Sequence, residues 1–302
     1  MNLSRRQFTV SALFLPVGSL FGLSATGSEK RAPNASIDAE FTQAFTNLQQ
    51  QLISFLEAAG YQQIPAQSLI TGHAFNGGLR YDDSGVLAKM PNGEMVVQDC
   101  ARVEDIPNKN RRGVLPFFHI LACTRRADSD QDKTFSETIN LVTKTLELPS
   151  QRLALVSIAA LADFRDLLTE QDIDWERQVV IRDTEEAKAT GNGSGYFNPA
   201  GHPEQPEFIT AGLYIWTGEG QAPAIKTYPL SEQWVEIGEV GLDKTATLAF
   251  GFGLERLVYA KTGLLPSWQE QRQQLLETVK AESAKTGAPL PEGYTLFKDD
   301  MA

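Results

Sequence analysis

Between residues 208 and 263 the chain carries "FITAGLYIWTG", "APAIKTYPL", "QWVEIGEVGL" and "TATLAFGF" in succession, and then "GLERLVYAKTG". The first four are short runs of strand-forming residues separated by turn formers. A parallel pair needs a long crossover between its strands, whereas consecutive strands joined by turns pair antiparallel. Helical patterns lie on either side. Phe41, Phe45, Leu48, Leu52, Phe55 and Leu56 recur at helical spacing before Gly60, and Phe135, Ile139, Val142 and Leu146 do so within "KTFSETINLVTKTLELP". "ALADFRDLLTEQDI" and "SWQEQRQQLLETVKAESAK" supply further helices. The order predicts an α+β fold, an antiparallel β-sheet flanked by helices. Further strands are expected in "YQQIPAQSLI", which contains Pro65, in "GEMVVQDCARVED", from near Val114, and in "RLALVSI" and "RQVVIRD". "ATGNGSGYFNPAGHPEQPE" is the longest irregular stretch, a kind of loop that often carries binding groups, and no internal repeat is evident.

The N-terminus is organised differently. Arg5 and Arg6 precede the apolar stretch "FTVSALFLPVGSLFGL" and the small residues around Ala25 to Gly27, the pattern of an export signal. The paired arginines followed by Gln7-Phe8 resemble the twin-arginine type. The reading is a signal peptide at 1–27, a linker at 28–35, a core at 36–265 and a C-terminal helix and tail at 266–302, with an uncleaved membrane anchor as the alternative. Export would place the protein in the periplasm or an equivalent lumen. The formal charge of −11 becomes −13 once Arg5 and Arg6 are gone, which argues against an open basic surface for nucleic acid. Cys100 and Cys123 fall far apart along a hairpin formed by their two strands, too far to bridge, so both are expected free and buried.

Chemistry enters with Gly251-Phe252-Gly253-Leu254-Glu255-Arg256, a G-x-G-x-x-R sequence where a strand gives way to a helix. It lacks the third glycine and the βαβ setting of a dinucleotide-binding turn. It is preceded by two other features in order. The first is a long helix leading to a strand with Pro65; the second is "ARVE", an R-x-E pattern followed by a polar loop and "RRGVLPFF". This succession resembles the three motifs of class II aminoacyl-tRNA synthetases, over roughly Phe41 to Gly263. "FLEAAGYQQIPAQSLI" and "QDCARVEDIPNKN" are most similar to the alanyl type, whereas "QWVEIGEVGL" with "LAFGFGLERLVYAKTGL" is closer to the phenylalanyl type.

The resemblance implies a class II synthetase and biotin ligase-like fold, ATP and magnesium as ligands, and a small carboxylic or amino acid activated as its adenylate. Arg102 would meet the α-phosphate and Arg256 the terminal phosphate, since a planar guanidinium binds phosphate oxygens in pairs. Glu104 would receive the adenine amino group, Phe117 or Phe118 would stack on the base, and Gly251 and Gly253 would expose backbone to the nucleotide. Glu236 and Glu239, following Val235, would share one strand face and hold magnesium. Class II cores often dimerise through the first motif, so a homodimer is a further expectation.

The chain departs from the alanyl pattern at several points: Ala249 stands where that family has an aspartate for the substrate's amino group, His119 where it has a glutamate, "CTRRADSD" where it has an aromatic, glycine-containing segment, and "ATGNGSGYFNP" has no acidic residue to match its Gly-rich loop. No tRNA-binding or editing region follows the core, so tRNA charging is not expected. His73, His119 and His202 show no metal-ligand spacing and are read as structural. The competing reading is an exported, non-catalytic relative whose pocket binds a small ligand or whose surface binds a protein.

Overall fold

Leu48, Leu52 and Leu56 lie one helical turn apart, and with Phe41 they form the buried stripe of helix α1 (Ala35–Ala58), while Phe55 is exposed. The computed structural model describes residues 35–78, 90–197, 208–243 and 248–299. The signal segment and residues 28–34 of the linker lie outside the described residues. After α1 come β1 (Gln62–Gln63), the hairpin β2 (Ile70–Thr71) and β3 (Ala74–Phe75), β4 (Glu94–Cys100) and β5 (Phe118–Thr124). Helix α2 (Gln131–Asn140), β6 (Leu153–Ser157), α3 (Arg165–Glu170), α4 (Trp175–Gln178), β7 (Val179–Ile181) and α5 (Thr184–Thr190) follow. The hairpin β8 (Asn192–Gly193) and β9 (Tyr196–Phe197) leads to β10 (Phe208–Trp216), β11 (Trp234–Gly241) and β12 (Leu248–Gly253). The last described elements are α6 (Leu254–Thr262), α7 (Trp268–Thr286) and α8 (Gly293–Asp299).

The main sheet runs β1-β4-β5-β12-β11-β10-β6-β7, antiparallel from β4 to β6 and parallel only where β1 and β7 close its two margins. The fold is α+β, as expected. One face lies under α1, α2 and α6 and holds the largest core, in which Leu52, Leu121, Ile139, Leu213, Ile237 and Phe252 are all fully buried. The other face carries two apolar clusters, one around Val96, Ala122 and Leu248 and one around Val156, Tyr214 and Trp234. The polar residues of the candidate site lie on this second face.

A further cluster joins the C-terminal helices to the end of β4. Phe75, Ala101, Phe117, Trp268, Leu275 and Phe297 pack together, and a Cβ at Gly293 would run into Val103 and Phe75. Within residues 266–299, the C-terminal helices are thus part of the packing that fixes the turn after β4.

Several elements differ from the sequence reading. In "YQQIPAQSLI" only Gln62–Gln63 and Ile70 are in strands, so no strand contains Pro65, and "ALADFRDLLTEQDI" is 3₁₀ over Ala159–Phe164 before it becomes α-helical. The strand expected from Val114 begins at Phe118, because residues 103–108 form a 3₁₀ turn and residues 109–117 stay irregular. "APAIKTYPL" is no strand. Pro223 and Pro229 cannot donate to a ladder, and the segment instead packs Ala222 and Ile225 beside Trp216 and Trp234. The helix predicted through Leu146 is α-helical to Asn140 and then widens into a π-turn, Leu141–Thr145. Of the long irregular stretch, residues 198–207 lie outside the described residues. Cys100 pairs with Phe118 and Cys123 with Met95, at opposite ends of the β4–β5 ladder, and both thiols are free, with burial pushing their pKa values up.

Candidate functional site

Arg102 leaves the end of β4. Its Nε donates to the Gly77 carbonyl, and its guanidinium lies 5.1 Å from the centre of the Phe118 ring. Gly78 allows this approach: its φ is +138°, and a Cβ there would meet Arg102 Nη2 at 3.1 Å and Ile120 Cδ1 at 3.3 Å. Phe117 and Phe118 are consecutive across the start of β5 and point to opposite sides. Phe117 is 2% exposed and packed among Trp268 and Phe297, so it is not a stacking surface. That role falls to Phe118, which is half-buried beside Arg102.

Glu104 is exposed on the 3₁₀ turn. Its neighbour Asp105, which the motif does not single out, is half-buried. Burial raises its carboxyl pKa, while the positive charges of Arg102 and Arg256 pull against that rise. Asp105 therefore stands in the field of both arginines.

Arg256 sits in the first turn of α6. Its Nε donates to the Gly113 carbonyl at 2.9 Å, and its Nη1 lies 3.3 Å from both the carbonyl and the Oε2 of Glu236. Gly251 is on the second face of β12, where an added Cβ would find nothing nearer than Ile120 Cγ2 at 3.9 Å. The backbone there is open to a ligand.

Glu236 and Glu239 are three residues apart and in a regular strand would face opposite ways. A bulge prevents this: Leu213 of β10 pairs with Gly238 and Tyr214 with Glu236, which leaves Ile237 as the extra residue and brings both carboxylates to the same face. Glu239 accepts the Ser194 backbone N–H at 2.7 Å, and the Ser194 hydroxyl lies 2.7 Å from the Tyr214 hydroxyl. A Cβ at Gly193 would overlap the Glu239 carboxylate, so only glycine lets the β8–β9 turn lie this close. The turn is anchored from below by Arg182, whose Nη1 donates to the Gly193 and Ser194 carbonyls and whose side chain is 1% exposed. Ser194, Tyr214 and Arg182 are site residues that sequence reasoning missed. The only signal was the glycine-rich character of "GNGSG".

Burial raises both carboxyl pKa values. For Glu239 the charge of Glu236 adds to the effect and pushes the pKa up to about 8, while Arg256 and Arg102 restrain the rise at Glu236. Between pH 4.5 and about 8 the folded chain keeps a proton on Glu239 that an unfolded chain, titrating near 4.5, has released. The group's stabilising contribution is present at low pH and is lost as pH rises through that window. Glu239→Gln, an isostere of the protonated acid, is expected to flatten this slope and raise stability at pH 8 by on the order of 1–3 kcal/mol. Calorimetric melting at pH 5 and pH 8 measures it; equal slopes for both proteins would refute the assignment.

Ala249 is the extra residue of a second bulge, in β12, and is buried in the helix-side core. Its methyl therefore does not face the open side of the sheet where the two glutamates lie. His119 is likewise on the helix side, next to Phe45 of α1, with its Nδ1 2.6 Å from Glu255 Oε1 and its Nε2 3.5 Å from Asp99. Burial alone would lower its pKa, but the hydrogen bond and the two carboxylates outweigh it and hold the imidazole above its ordinary value.

Arg102, Arg256, Glu236 and Glu239 thus share one neighbourhood around Phe118 and Gly251, while Phe117 does not. Among the described residues no group of three or more His, Cys, Asp or Glu side chains is gathered to hold a metal ion, and no helix is long and apolar enough to cross a membrane. No family model matches this chain, and no curated protein does. Among solved structures it is similar to apo S. aureus histidyl-tRNA synthetase, at 10% sequence identity and a TM-score of 0.41, over 86% of this chain and 81% of that one.

Proposed function

We propose that the open face of the sheet binds ATP and activates a small carboxylic or amino acid as its adenylate, on a core of the class II aminoacyl-tRNA synthetase type. The observation that carries this reading is the meeting of Arg102 and Arg256 with Glu236 and Glu239 beside the bare backbone of Gly251. Two guanidinium forks near one carboxylate pair suit a triphosphate, whose charge needs cations on more than one side. Arg102 would hold the α-phosphate and Arg256 the far end, while Phe118 offers its ring to the base.

The carboxylate pair fits magnesium. The charge of Glu236 raises the proton affinity of Glu239, and a divalent cation held by the two carboxylates would relieve that repulsion. Glu236 and Glu239 would be its protein ligands, and it would neutralise charge between phosphates. In the reaction an oxygen of the substrate carboxylate bonds to the α-phosphorus, and the bond from that phosphorus to the bridging oxygen breaks, releasing pyrophosphate. Arg102 meets the charge that develops on the α-phosphate oxygens.

The alanyl kinship rests on "QDCARVEDIPNKN" and the first-motif segment, and delivery outside the cytoplasm on Arg5-Arg6 and the apolar run that follows. Titration calorimetry of the full chain with ATP and magnesium tests the central claim. Saturable one-to-one binding, weakened about tenfold when the metal is chelated, is expected; absence of heat at millimolar ATP would overturn it.

A further inference from the structure

The geometry points to His119 and Glu255 as a positioning clamp that sets Arg256 in register with Phe118. Glu255 is 2% exposed at the start of α6, immediately before Arg256. Both of its oxygens are engaged by one residue of β5: the His119 backbone N–H donates to Oε2 at 3.0 Å, and His119 Nδ1 lies 2.6 Å from Oε1. His119 immediately follows Phe118 in β5, whose ring lies on the opposite side of the sheet beneath Arg102. A single two-point contact on the helix side therefore joins the two residues whose neighbours act on the open side.

The contact fixes more than distance. A carboxylate held by a ring nitrogen and a backbone N–H of the same residue can neither slide along the strand nor rotate about it. With Glu255 fixed, the first turn of α6 has one orientation, and Arg256 reaches the Gly113 carbonyl and Glu236. The imidazole is itself seated, its Nε2 3.5 Å from Asp99 of β4 and its ring 5.0 Å from that of Phe45 and 5.2 Å from that of Phe117. Leaving Glu255 buried without these donors would be costly, so loss of the imidazole is expected to let the helix start shift toward water.

The consequence for ATP rests on the functional reading above, but the clamp itself does not, and the test separates the two. The Nε–H of Arg256 gives a distinct nitrogen-15 resonance, assigned by its loss in Arg256→Ala, and its hydrogen bond to Gly113 slows exchange with solvent. In His119→Ala this protection is expected to fall at least tenfold, and ATP affinity by calorimetry about tenfold. His119→Asn places an amide nitrogen where Nδ1 was and is expected to restore both to within threefold of wild type. Phe45→Leu, which removes a ring neighbour but no clamp bond, should leave protection unchanged. Should His119→Ala fail to fold, Glu255→Leu, which offers neither His119 group a partner, is expected to lose the same protection. A folded His119→Ala or Glu255→Leu with wild-type protection, or His119→Asn as unprotected as His119→Ala, would overturn the clamp. Protection lost as expected in a protein that binds no ATP would leave the clamp standing and remove the nucleotide reading.

Discussion

Arg256→Ala is expected to reduce ATP–pyrophosphate exchange by about 10³-fold or more, close to background. Two losses combine. A guanidinium aimed at a terminal phosphate is removed, and an electrostatic contact of this kind contributes about 3–4 kcal/mol in a site shielded from water. Glu236 also loses the cation 3.3 Å from its carboxylate and is left facing Glu239, so the site turns more negative where a polyanion must bind. The fold should survive, because the Arg256 side chain is 31% exposed and the pair it forms is only partly buried. Arg256→Lys keeps the charge but not the fork, and its exchange rate should lie between the two. Exchange assays over a panel of small amino and carboxylic acids, with melting curves as the control, measure this. Unchanged exchange in a folded Arg256→Ala protein would remove that residue from the site.

Gly238→Ala is expected to be the most damaging single methyl addition in the sheet, costing roughly 3 kcal/mol or more and lowering the melting temperature by about 6–12 °C. Gly238 pairs with Phe252 of β12, and a Cβ there would overlap the Gly251 carbonyl oxygen and the Phe252 ring. One of those is backbone in the middle of a ladder and cannot step aside. The same residue adjoins the bulge that turns Glu236 and Glu239 to one face, so a repaired register would scatter the site as well as strain the sheet. Gly251→Ala is the contrast: its Cβ projects into open space, so stability should change by less than about 1 kcal/mol while ATP binding weakens. Equal melting temperatures for the two variants would contradict this account.

Much of the architecture was legible because it depends on local periodicity. The stripe Leu48, Leu52 and Leu56, the strands β10 to β12 and the change to helix at Leu254 follow directly from residue spacing. The two arginines were legible too, because each ends or begins an element and carries its motif nearby. What escaped depends on contacts between distant segments. Nothing in "PFFHI" says which phenylalanine faces Arg102; that is decided where the ladder begins and by Trp268 and Phe297 claiming Phe117. The shared face of Glu236 and Glu239 needs the bulge at Ile237, which is defined only against Leu213 and Tyr214. Ser194 reaches Glu239 across forty-five residues of chain, and His119 reaches Glu255 across 136. Spacing within one segment carries no trace of such pairings.

The two strands that close the sheet bear on how copies of this chain behave in a crowded solution. β1 has two residues, Gln62 and Gln63, and after Ile64 comes Pro65, without an N–H to offer; β7 has three, and the chain turns from it into α5 at Asp183. A long, bare outer strand would present a row of unsatisfied N–H and C=O groups on which another molecule's strand can add. With only two and three residues, these outer strands themselves offer another molecule little such template.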